Sequence, residues 1–184
     1  QVLSDDIEAF QEAITNRRFD VCRFDQLPKH SNLVFEGSQG ILLDMDHGMF
    51  PHVTYANTTS KNAWKYAGAN TEVYYVTRCY QTRHGNGPFA ERIISLVNNH
   101  EEINVLNTWQ GAFKTGEIDY GLLRHAISVD LSYHPRGINC NLVVTCIDQR
   151  PDFTFGLEWA HGLLEKIYGN DSPNSGSMVE MKAV

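Results

Sequence analysis

An α/β fold with a mostly parallel sheet and flanking helices is predicted by two apolar strand patterns, the helical patterns between them and the glycine loops that follow. Val73-Tyr74-Tyr75-Val76-Thr77 is rich in β-branched and aromatic residues and reads as a strand. Asn141-Leu142-Val143-Val144-Thr145-Cys146-Ile147 is apolar almost throughout, the pattern of a strand buried on both faces of a parallel sheet. Strands alternating with helices place the chain in the α/β class.

The remaining elements follow in order. Ser4-Asp5-Asp6 ahead of Ile7, Phe10, Ala13 and Ile14 reads as the capped start of an amphipathic helix, with acids at its positive end. Leu33-Val34-Phe35 reads as a short strand feeding the tight loop Glu36-Gly37-Ser38-Gln39-Gly40. A helix is expected from about Phe89 to Asn98, with Ile93, Ile94 and Val97 on one face. Asp119 is placed to cap another, with Leu122, Leu123, Ala126 and Ile127 facing inward. A last helix is expected from about Leu157 to Tyr168, carrying Trp159, Leu163, Leu164 and Ile167 and stopping at Gly169. No internal repeat appears, and Asn170 to Met178 is the turn-rich stretch.

At 184 residues and 42% hydrophobic side chains, the chain is long enough to bury a core as one domain. Its formal charge of −7 argues against a nucleic-acid groove, because no basic run is present to neutralise phosphates. That charge does not exclude a small anionic metabolite, which a few placed groups can hold. Cys22, Cys79, Cys140 and Cys146 show no zinc-finger spacing and read as free thiols of a reducing compartment. No apolar stretch approaches the ~20 residues of a membrane helix, and no signal peptide opens the chain. The expectation is a cytosolic protein with no membrane partner.

Three glycine-punctuated loops are expected at the carboxyl ends of strands, where open α/β sheets place ligands. They are Glu36 to Gly40, Thr82-Arg83-His84-Gly85-Asn86-Gly87-Pro88-Phe89, and the turn after Thr145-Cys146-Ile147-Asp148. Asp44-Met45-Asp46-His47 contains metal-ligand residue types, but its spacing matches neither a calcium loop nor a zincin helix, and a hydrogen-bonding role is favoured. No metal ligand is assigned to this chain. A serine-hydrolase triad is disfavoured, because no serine stands in a Gly-x-Ser-x-Gly setting.

The run Phe35-Glu36-Gly37-Ser38-Gln39-Gly40-Ile41-Leu42-Leu43-Asp44-Met45-Asp46-His47-Gly48-Met49-Phe50-Pro51-His52-Val53-Thr54-Tyr55-Ala56-Asn57-Thr58-Thr59 closely resembles the adenylosuccinate synthetase signature FEGAQG-x-LLDIDHGTYP-x-VTSSNTT. Thr82 to Phe89 resembles the family's TRVG-x-GPF loop, and Gly116 to Asp119 with Leu123 to Ala126 resembles its GW-L/F-D and LRYA segments. Thr145 to Asp148 stands where the family reads TKLD, and Ser172-Pro173 where its SxGP turn ends. The resemblance runs from about residue 30 to 178 and implies that residues 1–184 are the carboxy-terminal part of a P-loop-ligase-like domain.

It further implies a ligase that joins L-aspartate to the 6-position of a purine 5′-monophosphate with hydrolysis of a nucleoside triphosphate. In the family the triphosphate phosphorylates the purine 6-oxygen and the aspartate amine displaces that phosphate. The developing 6-oxyanion needs preorganised donors, and Gln39 matches the glutamine that supplies one. Gly40, Thr54, His84 and Gly85 match substrate-nucleotide positions, Thr54 meeting the 5′-phosphate and the backbone at His84 and Gly85 meeting the sugar. The family has valine at His84, so no side-chain role carries over there. Asp148, Ser172 and Pro173 match the site of the triphosphate base.

The aspartate loop departs from the family. Where TTGRRRRxGW is expected, Thr108 to Glu117 keeps Lys114 as its one basic residue, beside Gln110 and Gly111. Arg and Lys are not equivalent at a bidentate site, so aspartate must be held differently, with Arg78, Arg83 and Arg124 as unranked candidates. Cys146 replaces the TKLD lysine, which leaves GTP, ATP and dATP open. These departures, with Thr58-Thr59-Ser60-Lys61-Asn62-Ala63 in place of TTAGG, resemble the bacteriophage branch of the family, which condenses aspartate with dGMP on the way to 2-aminoadenine DNA. An IMP-using enzyme and a non-catalytic nucleotide-binding subunit are the alternatives. The GDEGKGK phosphate loop of the family's amino-terminal half does not occur in the chain, and the Mg2+ ligands are expected from that half. Alone, the chain is expected to be inactive. The family also implies a homodimer.

Overall fold

The computed structural model describes residues 2–16, 23, 25–26, 32–67, 71–89, 92–97, 108–109, 111–135, 137–156, 158–172 and 178–181. They fall in two units, Gln1–Glu36 and Gly37–Val184. In the first, helix α1 runs Val2–Thr15. It starts ahead of Ser4, so Ser4 lies within the helix and Asp5 in its first turn. Leu33 to Phe35 is exposed and pairs with no described strand, which corrects the strand expected there.

In the second unit, helix α2 (Lys61–Ala67) precedes strand β1 (Glu72–Arg78). A hairpin of β2 (Gln81–His84) and β3 (Phe113–Gly116) follows, then α3 (Tyr120–Leu131), β4 (Asn139–Thr145), β5 (Lys166–Asn170) and β6 (Met178–Glu180). The four-stranded sheet has the order β1-β4-β5-β6. β1, β4 and β5 are parallel and β6 closes the edge antiparallel, so the mostly parallel sheet is present. β4 is central and Cys140 to Val144 are all buried, as its apolar run requires.

Register sets which side chains meet. Tyr75 pairs with Leu142 and so shares its face. There Ile127 of α3 joins both in the core, with Val144, Phe155 and Ile167. α3 forms as its pattern predicts, because Asp119 Oδ1 accepts the Leu122 N–H at 2.9 Å and caps it. Ala126 and Ile127 are buried and Leu122 and Leu123 half-buried on its inward face.

Two expected helices are corrected. Ile93 forms a bridge to Gly116, the Ile94 N–H donates to the Thr115 carbonyl at 3.2 Å, and the Val97 N–H donates to the Gln149 carbonyl. Ile94 and Leu96 pack on the core while Ile93 and Val97 are exposed, a period of two rather than 3.6. From Glu158 only the short 3-10 turn Glu158–Ala160 is helical. Gly162 then adopts φ 72°, which ends the turn, and Lys166–Asn170 continues as β5 with Gly169 inside the strand. Short apolar runs do not distinguish buried strand from helix, and here the sheet takes them.

Among the described residues no helix is long and apolar enough to cross a membrane. Cys79 and Cys140 are buried free thiols and Cys146 is half-buried. Burial pushes the Cys79 thiol up to about 12, which keeps it protonated and unreactive.

The central strand should dominate stability. Leu142→Ala removes a fully buried side chain and should cost about 2–5 kcal/mol. Val76→Ala, on an exposed position of β1, should stay within about 0.5 kcal/mol. Urea denaturation followed by circular dichroism checks the contrast; equal losses would contradict this core.

Candidate functional site

The Gly37–Gly40 segment does not emerge from a strand. It leads into the 3-10 turn Ile41–Leu43. Gln39 holds φ 63°, a left-handed conformation that costs a side-chain-bearing residue about 1 kcal/mol or more. Its side chain is exposed beside Gly37 and Gly40, where an added Cβ would meet nothing within 4 Å.

Three hydrogen bonds join this loop to the segment around Thr54. The Thr58 hydroxyl donates to the Gly40 carbonyl at 2.9 Å. The Thr54 N–H donates to the Leu43 carbonyl at 2.8 Å, and the Met45 N–H to the Ala56 carbonyl at 3.1 Å. Gln39, Gly40, Thr54 and Asn57 therefore belong to one local module.

Asp44 lies inside this module with no exposed surface. Its Oδ1 accepts the Asp46 N–H at 2.9 Å and its Oδ2 the Thr58 N–H at 2.6 Å. Burial alone raises its pKa, but the N–H groups of Asp46, Thr58 and His47 and the charge of the His47 ring outweigh burial and hold the carboxyl below its ordinary value. Asp46 is engaged separately, accepting from Asn57 Nδ2 at 2.8 Å and pairing with Lys61 at 3.4 Å. His47 Nε2 bonds the Tyr133 hydroxyl. The Asp44-Met45-Asp46-His47 run is thus a hydrogen-bonding unit. Both Asp44 oxygens are taken by N–H groups, and among the described residues no group of three potential ligands gathers.

The hairpin brings the expected nucleotide residue His84 beside the expected aspartate-loop residue Lys114. Arg83 stands across from Lys114 and His84 across from Phe113. The Gly85 N–H continues the ladder to the Ala112 carbonyl at 3.1 Å. The second glycine loop therefore follows an antiparallel hairpin strand, not a strand of the parallel sheet. Arg83 Nε donates to the Asn86 carbonyl at 2.8 Å and Nη2 to the His52 carbonyl at 3.5 Å, tying the hairpin to the segment before Thr54. Its guanidinium lies where a Cβ at Gly87 would sit, so the φ 114° glycine leaves room for it. The His84 ring packs against Phe113 at 5.1 Å, and both ring nitrogens are buried without a protein partner. Gln110 lies outside the described residues.

Of the three candidate arginines, Arg83 alone shares the hairpin with Lys114. Arg78 ends β1 and donates to the Tyr80 hydroxyl at 3.4 Å. Arg124, on α3, is bonded to the Trp159 carbonyl. Two like charges opposite each other in a hairpin are unfavourable unless an anion meets them.

The third loop does leave a parallel strand. After β4, Cys146 adopts φ 60° and opens the 3-10 turn Ile147–Gln149 that carries Asp148. Asp148 is half-buried, and Gln149 Nε2 reaches its Oδ2 at 3.2 Å. Ser172 follows β5, the next strand of the sheet, and its N–H donates to Asn170 Oδ1 at 3.0 Å. Adjacent parallel strands thus bring Asp148 and Ser172 to one sheet edge, while Pro173 lies outside the described residues. A further cavity of about 420 Å³, lined by Arg92, Ile94, Ser95, Glu117, Arg150 and Asp152 among others, was not anticipated. Its charges compensate each other, with Arg150 to Glu117 at 3.3 Å and to Asp152 at 3.6 Å.

The class is that of an α/β protein with a mostly parallel sheet, in which one of the three expected loops, the turn at Cys146 to Gln149, leaves the carboxyl end of a parallel strand. The chain belongs to the adenylosuccinate synthetase family, whose model matches residues 2–134. The adenylosuccinate synthetase of Acaryochloris marina is 33% identical over 138 residues, covering 68% of this chain and 28% of its own length. That of Chromohalobacter salexigens is 36% identical over 106 residues, covering 54% and 25%. In fold the chain is similar to the cyanophage S-2L succinoaminodeoxyadenylate synthetase bound to dGMP and dATP as an energy donor, with a TM-score of 0.53 and 15% identity over 78% of this chain and 45% of that one. The chain spans about a quarter of the length of the curated relatives it matches.

The Asp44 geometry has a pH consequence. Its pKa is lower folded than unfolded, so the stability it supplies is complete above the unfolded carboxylate value and is lost as pH falls through the folded one. Asp44→Asn should cost about 2–3 kcal/mol at pH 7 and flatten the acid limb of a stability–pH curve. Denaturant midpoints from neutral to acid pH for both proteins test this, and parallel curves would refute it.

Proposed function

We propose that this chain supplies the purine-monophosphate and aspartate sides of a ligase that joins L-aspartate to the purine 6-position, with dGMP as the favoured monophosphate. The observation that carries the reading is the bridge from the Thr58 hydroxyl to the Gly40 carbonyl, which holds the Gln39 loop and the Thr54 segment together. A strained Gln39 beside it fits a side chain placed for use rather than for packing.

In this reading Thr54 meets the 5′-phosphate and the Gln39 amide donates to the 6-oxygen. That donor stabilises negative charge as phosphorylation and displacement proceed, and an amide does so without titrating. The backbone at Gly40, His84 and Gly85 lines the nucleotide. Lys114 meets an aspartate carboxylate, with Gly111 and Gln110 in the same loop and Arg83 across the hairpin. Asp148, Ser172 and Pro173 receive the triphosphate base, and Cys146 leaves that position without the family's lysine. The dGMP preference draws on these departures, and the cyanophage enzyme of similar fold is itself bound to dGMP and dATP. Magnesium would be held outside these residues. The working ligase would be a homodimer, as the family implies.

Joined to the family's triphosphate-binding half, the chain should release phosphate and form a succinylated nucleotide from dGMP faster than from IMP. Product from neither monophosphate with any of ATP, dATP or GTP would overturn the ligase reading, and a preference for IMP would overturn the dGMP assignment. Gln39→Ala should lower kcat by about 10²–10³ while monophosphate binding is nearly unchanged; equal losses of both would remove its oxyanion role. Lys114→Ala should raise the KM for aspartate and leave the KM for the monophosphate alone, and an unchanged aspartate KM would exclude Lys114 from the grip.

A further inference from the structure

Asp130, the penultimate residue of α3, has no exposed surface. Its Oδ1 accepts the Ser60 N–H at 2.6 Å, and its Oδ2 accepts the Ser60 hydroxyl at 2.6 Å and the Tyr75 phenol at 2.8 Å. His134, one turn on, places Nε2 2.6 Å from Ser60 Oγ and 3.3 Å from Asp130 Oδ2, with a side chain only 1% exposed. The Trp64 ring closes over it edge-on at 4.9 Å. One assignment of protons is consistent with the contacts around the carboxylate: Ser60 and Tyr75 donate to Asp130, and His134 Nε2–H donates to Ser60 Oγ, while among the described residues the buried His134 Nδ1 has no partner. Burial and the neighbouring Asp130 push the Tyr75 phenol pKa up, so it stays a donor.

What this group grips is the backbone just after the Thr54 segment. Two residues earlier, the Thr58 N–H is held by Asp44, also at 2.6 Å and also fully buried. Beyond Ser60 the chain enters α2 at once, with the Trp64 N–H on the Ser60 carbonyl at 2.9 Å. The carboxyl end of the Thr54–Asn57 loop is therefore fastened twice, once to its own module and once to α3 and β1, about seventy residues away on the α3 side. A loop ordered before its ligand arrives spends less binding energy on ordering.

We infer that Asp130, with Ser60, Tyr75 and His134, is a positioning cluster that presets the Thr54–Asn57 loop for the phosphate of a purine nucleoside monophosphate. It acts through the Ser60 backbone and hydroxyl and touches no ligand. The inference rests on the reading of Thr54 as a phosphate contact.

The test titrates the 184-residue chain with dGMP and IMP by calorimetry, for wild type, Ser60→Ala, Ser60→Thr and Asp130→Asn, and follows amide exchange at Thr58, Ser60, Leu142 and Val144. Ser60→Ala and Asp130→Asn should weaken monophosphate binding by about tenfold, and Ser60→Thr, which keeps the hydroxyl, should restore it. The Ser60 amide should exchange faster in the weakened variants while Leu142 and Val144 remain protected, which separates loosening of the loop from general unfolding. If Asp130→Asn fails to fold, the Ser60→Ala and Ser60→Thr pair decides. Wild-type binding with unchanged affinity in the variants overturns the positioning role and leaves the nucleotide site standing. Wild type that binds neither monophosphate overturns the phosphate reading of Thr54, and this inference with it.

Discussion

A carboxylate withdrawn from water must be met by donors, and this constraint organises the molecule around Asp44 and Asp130. Each is fully buried, and among the described residues neither pairs with a Lys or Arg. Instead their oxygens collect backbone N–H groups and hydroxyls, which compensate for lost solvation without a mobile cation. Beside the Tyr75 phenol, the donors come from Asp46, Thr58 and Ser60, so satisfying the two charges also sets the path of the chain between them. Removing either acid would orphan several buried donors at once, and the loop would have no equivalent partner to turn to.

From that fixed path the rest of the site follows. Thr58, held at its N–H, turns its hydroxyl onto Gly40 and draws the Gln39 loop in. Arg83 carries the connection onward, from the carbonyl of His52 to the hairpin that bears His84, Gly85 and Lys114. The base-binding candidates Asp148 and Ser172 are positioned by a different principle, the parallel alignment of β4 and β5, which puts their carboxyl ends side by side. Among the described residues other than glycine, Gln39 and Cys146 are left-handed, and each sits at the turn that opens one of these loops. Strain persists only where the surroundings impose it, and here it coincides with the positions expected to face ligands.

Charge in this protein acts locally. The net charge of −7 would repel an anionic nucleotide if it acted as a whole. Arg83 and Lys114 nevertheless face each other across two strands, and the buried acids have their charge absorbed by dipoles. The acidic Asp44-Met45-Asp46-His47 run illustrates the same point. It has the residue types of a metal site, but Asp44 accepts from N–H groups and Asp46 meets Lys61 and Asn57, so the run acts as a brace.

Much of this was determined by the sequence itself. The apolar run around Leu142 specifies a strand buried on both sides, Asp119 caps α3, and the 35–59 signature carries the family, because each depends on spacing within a few residues. The tertiary structure decided what depends on distant partners. Ile94 and Leu96 joined an extended segment and Ile167 a strand, since an apolar residue accepts any element that buries it. The sequence showed Ser60, Tyr75, Asp130 and His134 as unrelated residues, for no local pattern encodes a hydrogen bond between positions seventy residues apart. Only folding α3 onto β1 brings their donors to one buried carboxylate, and the energy of leaving that charge unmet makes the arrangement specific.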